Sequence, residues 1–191
     1  MNKTIVGITV GIVSLAILVI SVVVLNLNRN SDPSAASSGL STIEDPDGIK
    51  ACDILTQEVA KELLGDSIQN SSTDPRANSN EDVAVSNCNY ATTIDVTDPT
   101  AIPDISGVGL LVRSAKSTDG AATNSQQFEQ LKPEDPNTVT GIGDKAYYSE
   151  QFKQLNVLKN GNWYIVTRYK DRVTNGSKEM VVELAKKLDL K

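Results

Sequence analysis

The hydrophobic pattern of the chain begins with one long, predominantly apolar run from residue 5 to residue 27, which contains no charged residue. As an α-helix with a rise of about 1.5 Å per residue, the run spans about 34 Å, enough to cross a hydrocarbon core of about 30 Å. It is longer than the apolar region of a cleavable signal peptide, roughly 7–15 residues. No cysteine follows it as a site for lipid attachment. We therefore predict that residues 1–27 form an uncleaved transmembrane anchor.

The pattern changes at residue 28, where Ser, Asn, Asp, Pro and Gly become dominant and no apolar period continues through residue 48. A segment of this composition predicts a flexible linker over residues 28–48. Apolar residues return at Ile49, and residues 49–191 have the length of one domain with its own core.

In the first half of that domain, helical and strand patterns alternate. Thr56 and Gly65 have the character of an N-cap and of a C-terminal glycine, so we predict a helix between them. Residues 66–82 are polar and rich in turn-forming residues, which predicts a mobile loop. Strands are predicted over residues 83–93 and 107–115, where apolar and polar residues alternate.

The second half contains two more helices and three more strands. A short helix is predicted over residues 120–132, and the apolar stripe of residues 176–188 predicts a final helix. Asn160-Gly161 predicts a tight hairpin, because both residues tolerate positive φ. The predicted strands are 145–149, 155–158 and 163–169. This order predicts an α+β domain with an antiparallel sheet of about five strands and helices packed on one face.

Composition and charge limit the reactions and ligands that can be expected of this chain. The chain has no histidine, so the commonest general base and a frequent zinc ligand are missing. Its net charge of −6 argues against nucleic acid as a partner, because phosphate binding needs a basic field. Basic residues concentrate towards the C-terminus, either as solvated surface or as a basic face for an anionic partner. That face would consist of Lys153, Lys159, Arg168, Lys170 and Arg172.

The chain has two cysteines, Cys52 and Cys88. An even number of cysteines in a domain outside the cytoplasm favours a disulfide, which would restrain the predicted mobile loop. The alternative is a redox or nucleophilic cysteine, but neither residue has a histidine partner or C-x-x-C spacing.

Three further patterns have both a structural and a chemical interpretation. The Gly141–Ala146 segment is either a turn entering a strand or a phosphate-binding loop, although it lacks the length and the following helix of a P-loop. Five aspartates near Pro or Gly fit solvated loops better than a calcium site, because none has the calcium-loop spacing; they are Asp45, Asp47, Asp95, Asp98 and Asp104. The best candidate for a binding face combines Tyr147, Tyr148, Tyr164, Arg168 and Lys170. No catalytic residue, cofactor-binding residue or metal ligand is predicted.

Several motifs occur in an order that resembles a known family. They are ACDILT at Ala51–Thr56 before a helix ending LLG, SNCNY at Ser86–Tyr90, GIGDKA at Gly141–Ala146, the hairpin LNVLKNG at Leu155–Gly161, and a closing helix. Over about residues 49–190, this order resembles the uncharacterised domain of actinobacterial cell-envelope lipoproteins. The resemblance implies a Cys52–Cys88 disulfide, an antiparallel sheet with helices, an extracytoplasmic bacterial location and no established activity. The chain departs from that pattern because a transmembrane anchor replaces the lipid-bearing cysteine.

These patterns together predict a single-pass protein of the cell membrane whose C-terminal domain lies outside the cytoplasm. We expect a non-enzymatic domain, without a cofactor, that binds an unknown envelope protein, glycan or lipid. The first alternative is an accessory or sensory subunit of a membrane complex. The second alternative is a hydrolase that uses two carboxylates.

Overall fold

The structure is a computed structural model that describes residues 47–74, 79–92, 105–170 and 174–190. The predicted anchor, residues 1–27, lies outside these ranges, and so does the predicted linker 28–48 except for its last two residues. Within the described ranges, no helix has the length and hydropathy needed to cross a membrane.

The described chain forms four helices and eight strands in the order α1-α2-β1-β2-β3-α3-β4-β5-β6-β7-β8-α4. The helices are α1 (Ala51–Ile54), α2 (Gln57–Leu64), α3 (Thr118–Leu131) and α4 (Lys178–Lys187). The strands are β1 (Ile68–Thr73), β2 (Val83–Thr92), β3 (Gly107–Ala115), β4 (Asn137–Thr138), β5 (Lys145–Ser149), β6 (Gln154–Lys159), β7 (Asn162–Lys170) and β8 (Thr174–Asn175).

All of these strands belong to one antiparallel sheet. Seven strands follow the order β1-β2-β3-β7-β6-β5-β4, and β8 pairs with the end of β7. The prediction of an α+β domain with an antiparallel sheet is therefore confirmed. The sheet has more strands than the five expected, because β1 is polar and β4 and β8 have two residues each. None of these three segments has the apolar alternation that identifies a strand in sequence.

β1 lies in the segment that the sequence predicted to be a mobile loop, residues 66–82. That prediction was wrong for Ile68–Thr73, because every residue of this strand pairs with β2. The Oγ of Ser86 donates to the carbonyl of Thr73, and the hydroxyl of Thr73 accepts from the backbone N–H of Asn87. Hydrogen bonds hold this strand in place, since five of its six side chains are exposed.

One face of the sheet carries the main hydrophobic core. Alternating residues of the three central strands are buried there: Val108, Leu110, Val112, Tyr164, Val166, Leu155 and Val157. α4 covers this face with Val181 and Leu184, while α1 and α2 contribute Ala51 and Ala60. A fully buried Val or Leu side chain stabilises the fold by roughly 1.5–3 kcal/mol, so this layer is the principal source of stability.

α3 packs on the opposite face, which corrects the prediction that all helices share one face. Phe128 of α3 meets Tyr147 and Trp163 edge to face, with ring centroids 5.0 and 6.4 Å apart. With Leu158, these rings form a second cluster of buried side chains. Near the hairpin at Asn160–Gly161, large apolar residues lie on both faces of β5, β6 and β7. Both faces of the sheet must therefore be shielded from water there.

The local signals in the sequence identify the helix and hairpin ends correctly. Thr56 accepts a hydrogen bond from the N–H of Val59 and caps α2, and Gly65 follows that helix with a φ of 88°. The hairpin between β6 and β7 turns at Asn160 and Gly161, whose φ angles are 51° and 74°. Positive φ at both turn residues matches the twist of the flanking strands, which is why this dipeptide predicts the turn.

The disulfide joins α1 to β2, as predicted. Cys52 and Cys88 are bonded to each other, and neither is free. The amide of Asn70 on β1 lies beside the bond, with Nδ2 at 3.7 and 3.6 Å from the two sulfur atoms. The buried hydroxyl of Ser86 accepts from the backbone N–H of Ala51 at 3.0 Å. The covalent bond and this hydrogen bond together attach the start of the domain to the sheet.

Replacing Cys52 and Cys88 by alanine is expected to lower the free energy of unfolding by about 3–4 kcal/mol, because the bond closes a long loop in the unfolded chain. The measurement is urea unfolding of the full chain in detergent micelles, followed by the fluorescence of Trp163. Dithiothreitol should produce a similar shift in the wild-type protein and no shift in the double variant. Equal midpoints for oxidised and reduced wild type would contradict this prediction.

Candidate functional site

The aromatic residues of the predicted binding face are core residues. Tyr148 and Tyr164 belong to the main core, where the hydroxyl of Tyr148 donates to the carbonyl of Gly176. Tyr147 belongs to the second cluster, against α3. Adjacent residues of a strand point to opposite faces, so Tyr147 and Tyr148 cannot share a surface. The prediction of one binding face from these tyrosines was wrong, because their rings fill the two cores instead.

Two basic residues of the predicted faces are already paired with glutamates. Arg168 forms an ion pair with Glu183 of α4, with an N–O distance of 3.1 Å. Lys153 precedes β6 and Lys159 ends it, so these two lysines lie at opposite ends of one strand. Lys170 is exposed at the end of β7. Lys153 adjoins Arg168 where β6 pairs with β7, but Lys153 is paired with Glu150 at an N–O distance of 2.9 Å, as Arg168 is with Glu183.

Other candidates lie outside the described ranges, namely Arg172, Asp45, Asp95, Asp98 and Asp104. Asp47 is described and exposed. No group of three or more Cys, Asp or Glu side chains in the described chain is arranged to hold a metal ion.

The Gly141–Ala146 segment uses its backbone to join parts of the fold. The N–H of Gly143 donates to the carbonyl of Leu190, and the N–H of Asp144 donates to the carbonyl of Leu158, at 2.6 and 2.8 Å. The carboxylate of Asp144 accepts from the N–H of Asn160 at 2.7 Å. A phosphate-binding loop needs free N–H groups, and these two already have partners, which supports the turn interpretation.

A cleft of about 310 Å³ opens between the end of α3 and this segment. Lys132 and Lys145 line it, and the carboxylate of Glu129 pairs with both, at N–O distances of 3.3 and 2.6 Å. Asp144 is the one carboxylate among the described lining residues. The cleft therefore lacks the two carboxylates that the hydrolase alternative requires, and its cations are already paired.

Tyr147 also lines this cleft. Burial raises the pKa of its hydroxyl to about 12, and the negative charge of Glu129 adds to the increase. The hydrogen bond from Lys145, followed by that from Lys132, lowers the pKa of Glu129. The phenol of Tyr147 stays protonated at neutral pH, so it cannot serve as a general base there.

Next to the second cluster, the side of the sheet that faces α3 presents three rows of residues, most of them partly or fully exposed, which we call the open face. The first row is Gln69, Ala91, Gly107 and Tyr169. The second row is Ser71, Asn89, Gly109, Thr167 and Gln154. The third row is Thr73, Asn87, Leu111 and Ile165. The strand register aligns these residues, because directly paired residues of neighbouring strands point to the same face.

None of these positions is charged, although 22% of the whole chain is Asp, Glu, Lys or Arg. The side chains of Asn89, Thr167 and Gln154 are half-buried and make no hydrogen bond to other described residues. Half-buried amides and hydroxyls of this kind bond to water, to a ligand or to another part of the chain. The open face therefore presents amide and hydroxyl groups that have no partner among the described residues.

Two glycines of β3 shape the open face. At Gly109, a Cβ atom would fall 2.5 Å from Oδ1 of Asn89 and 2.6 Å from Oγ1 of Thr167, so both side chains lean over the glycine. At Gly107, a Cβ atom would fall 2.3 Å from the ring of Tyr169, which lies across this strand. Polar groups from β2 and β7 thus converge above β3, next to an aromatic ring.

Sequence reasoning missed this surface, although part of its signal was present. The polar residues Asn87 and Asn89 alternate with buried residues in β2, and Gly107 and Gly109 alternate in β3. Such alternation predicts a solvated face of each strand separately. Which strands are neighbours, and in which register, depends on pairing between distant segments that the alternation does not specify.

Comparisons with known proteins found no relative. No protein-family model, no curated protein and no solved structure matches the chain. Function must therefore be inferred from the residues of this chain.

The raised pKa of Tyr147 predicts a loss of stability at alkaline pH. A phenol whose pKa is about 12 in the folded state and about 10 in the unfolded state contributes its full stabilisation below about pH 10 and loses it towards about pH 12. The Tyr147→Phe variant has no such group, so its unfolding midpoint in urea should fall less than that of the wild type between about pH 9 and about pH 11. Identical pH slopes for the two proteins, each referred to its own midpoint at neutral pH, would contradict the prediction.

Proposed function

We propose that this chain is a membrane-anchored, extracytoplasmic, non-enzymatic binding domain, attached through residues 5–27 and contacting an envelope ligand through the open face. The observation that carries the proposal is the open face itself, where the side chains of Asn89, Thr167 and Gln154 have no hydrogen-bond partner among the described residues. Ligand sites are usually preformed and contain a few well-placed polar groups among apolar ones. Tyr169, at the border of the same surface, supplies an aromatic group of this kind.

The location outside the cytoplasm has its own support. The Cys52–Cys88 disulfide fits an oxidising compartment, because structural disulfides are rare in the reducing cytoplasm. The apolar run of residues 5–27 has the length and hydropathy of a membrane-spanning helix. A flexible linker of this length would give the domain an average reach of about 25 Å from the bilayer.

Binding has more support than catalysis. The cleft beside α3 has one carboxylate, Asp144, and that group accepts a hydrogen bond from the Asn160 backbone. The chain has no histidine to act as a base. The proposed relationship to the uncharacterised domain of actinobacterial cell-envelope lipoproteins adds no catalytic activity, because the resemblance brings no established activity with it.

Gly7 and Gly11 favour a second candidate function, an accessory or sensory subunit of a membrane complex. They are four residues apart in the apolar run, a spacing that lets transmembrane helices approach closely. Replacing residues 5–27 by an unrelated span distinguishes the two functions. A simple tether tolerates the exchange, whereas a subunit assembled through its anchor loses cellular function while the purified protein still binds its ligand.

The anchored, outward orientation predicts where the chain is found in bacterial cells. The full chain should sediment with membranes, resist extraction by alkaline carbonate and be digested by protease added to spheroplasts. Its cysteines should react with a thiol reagent only after reduction. The matched control carries Leu15→Arg and Leu18→Arg, which make insertion of the span costly, so this variant should be soluble with free thiols. Protease protection together with free thiols in the wild-type chain would overturn the orientation.

A further inference from the structure

We infer that the ligand of the open face is a neutral glycan, an uncharged polyhydroxylated chain that lies across β1, β2, β3, β7 and β6. This inference rests on the proposed binding function and adds the chemical class of the ligand. It follows from three properties of the described surface, namely its charge, its hydrogen-bonding groups and its relief.

The lack of charged residues on the open face argues against an anionic or a cationic ligand. The three rows of the open face contain no Lys or Arg to pair with a phosphate or carboxylate, and no Asp or Glu to pair with a cationic ligand. The net charge of −6 also repels an anionic polymer or an anionic lipid surface. A charged ligand brought to this face would lose hydration without gaining an ion pair, which is unfavourable. A neutral ligand has no such cost.

The hydrogen-bonding groups match hydroxyl groups. The hydroxyls of a sugar both donate and accept, and so do the side chains of the second row. Ser71, Asn89, Thr167 and Gln154 come from four strands, and Gly109 lies between the middle two. Neighbouring strands are about 4.8 Å apart, so the row extends over about 19 Å. Such a row offers repeated polar contacts to a repeating ligand.

The shape of the open face and its apolar borders suit the carbon skeleton of a sugar. Gly109 has no side chain, so the polar ends of Asn89 and Thr167 converge above the backbone of β3. Tyr169 borders the row on one side, while Leu111 and Ile165 border it on the other. Sugar rings carry C–H groups on their faces, and these pack on aromatic and aliphatic side chains while the hydroxyls bond to amides. The open face therefore combines both kinds of contact.

A protein partner fits this surface less well. The centres of protein–protein interfaces are enriched in aromatic residues, Met and Arg. The central row of the open face contains only hydroxyl, amide and glycine residues. A protein ligand is therefore an outcome of the test and not the proposal.

The test measures binding of the full chain, purified in a detergent without a sugar headgroup, to a panel of neutral and acidic polysaccharides and to vesicles of phosphatidylglycerol. The neutral probes are mannan, galactan and dextran, and the acidic probe is polygalacturonate. We expect binding to at least one neutral probe and a dissociation constant that does not change with ionic strength, because no ion pair is involved.

Substitutions on the open face test whether the ligand binds there. Asn89→Ala combined with Thr167→Ala removes the groups that lean over Gly109 and should weaken binding about tenfold or more, as expected for two lost hydrogen bonds. Gln154→Ala, further along the same row, should weaken it less. The matched control is Gln126→Ala, which removes an exposed amide on α3 and should change nothing. Thermal unfolding confirms that each variant is folded before its binding is compared.

The outcomes separate this inference from the proposed function. Binding of only the acidic polysaccharide, or vesicle binding that the open-face variants weaken, overturns the inference, and so does neutral-glycan binding that these variants leave unchanged. In both of these cases the domain still binds a ligand, so the proposed function stands. Capture of a specific envelope protein, with no glycan bound, also overturns the inference and leaves the proposed function standing. Failure to bind any envelope glycan, lipid or protein overturns both the inference and the proposed function.

Discussion

The pairing of β3 with β7 is the interaction on which the rest of the structure depends. It joins the half of the sheet formed by β1 to β3 to the half formed by β4 to β7, and these halves come from distant parts of the chain. Its register places Leu110 opposite Val166 and Gly109 opposite Thr167. A shift by one residue would exchange the two faces, moving core side chains to the open face and polar ones to the core. The same register therefore determines the hydrophobic core and the candidate binding surface.

Among the described elements, α3 covers only part of the second face of the sheet. α3 attaches at the hairpin end of the sheet, where the amide of Asn124 donates to the carbonyls of Arg113 and Gly161 at 2.9 and 3.0 Å. The guanidinium of Arg113 lies over the ring of Trp163, 5.6 Å from its centre, which is close enough for a cation–π interaction. Burial lowers the pKa of Arg113, but a guanidinium stays charged at neutral pH. Apolar and aromatic residues hold the helix at this end, and the rows beyond it contain no charged residue.

Connections at both ends of the domain make the sheet a rigid platform. The N–H of Ile49 donates to the buried hydroxyl of Ser114 at 2.8 Å, and the disulfide secures the adjacent helix. Near the C-terminus, Leu190 accepts a hydrogen bond from Gly143, and Lys187 of α4 pairs with Glu62 of α2. A ligand that binds a preformed sheet surface orders few side chains, so little of its binding energy is lost to conformational entropy.

Sequence alone determined the features that depend on near neighbours along the chain. Thr56 and Gly65 mark the ends of a helix, Asn160-Gly161 marks a hairpin, and the alternation in residues 107–115 marks a strand, because caps, turns and strand periods are local properties. The even number of cysteines likewise indicated their bond. Tertiary structure decided the strand identity of Ile68–Thr73, the side of the sheet that α3 covers, and the burial of all three candidate tyrosines. Each of these features depends on which distant segment of the chain packs or pairs with it. Local alternation specifies only that neighbouring residues of a strand point to opposite faces of the sheet.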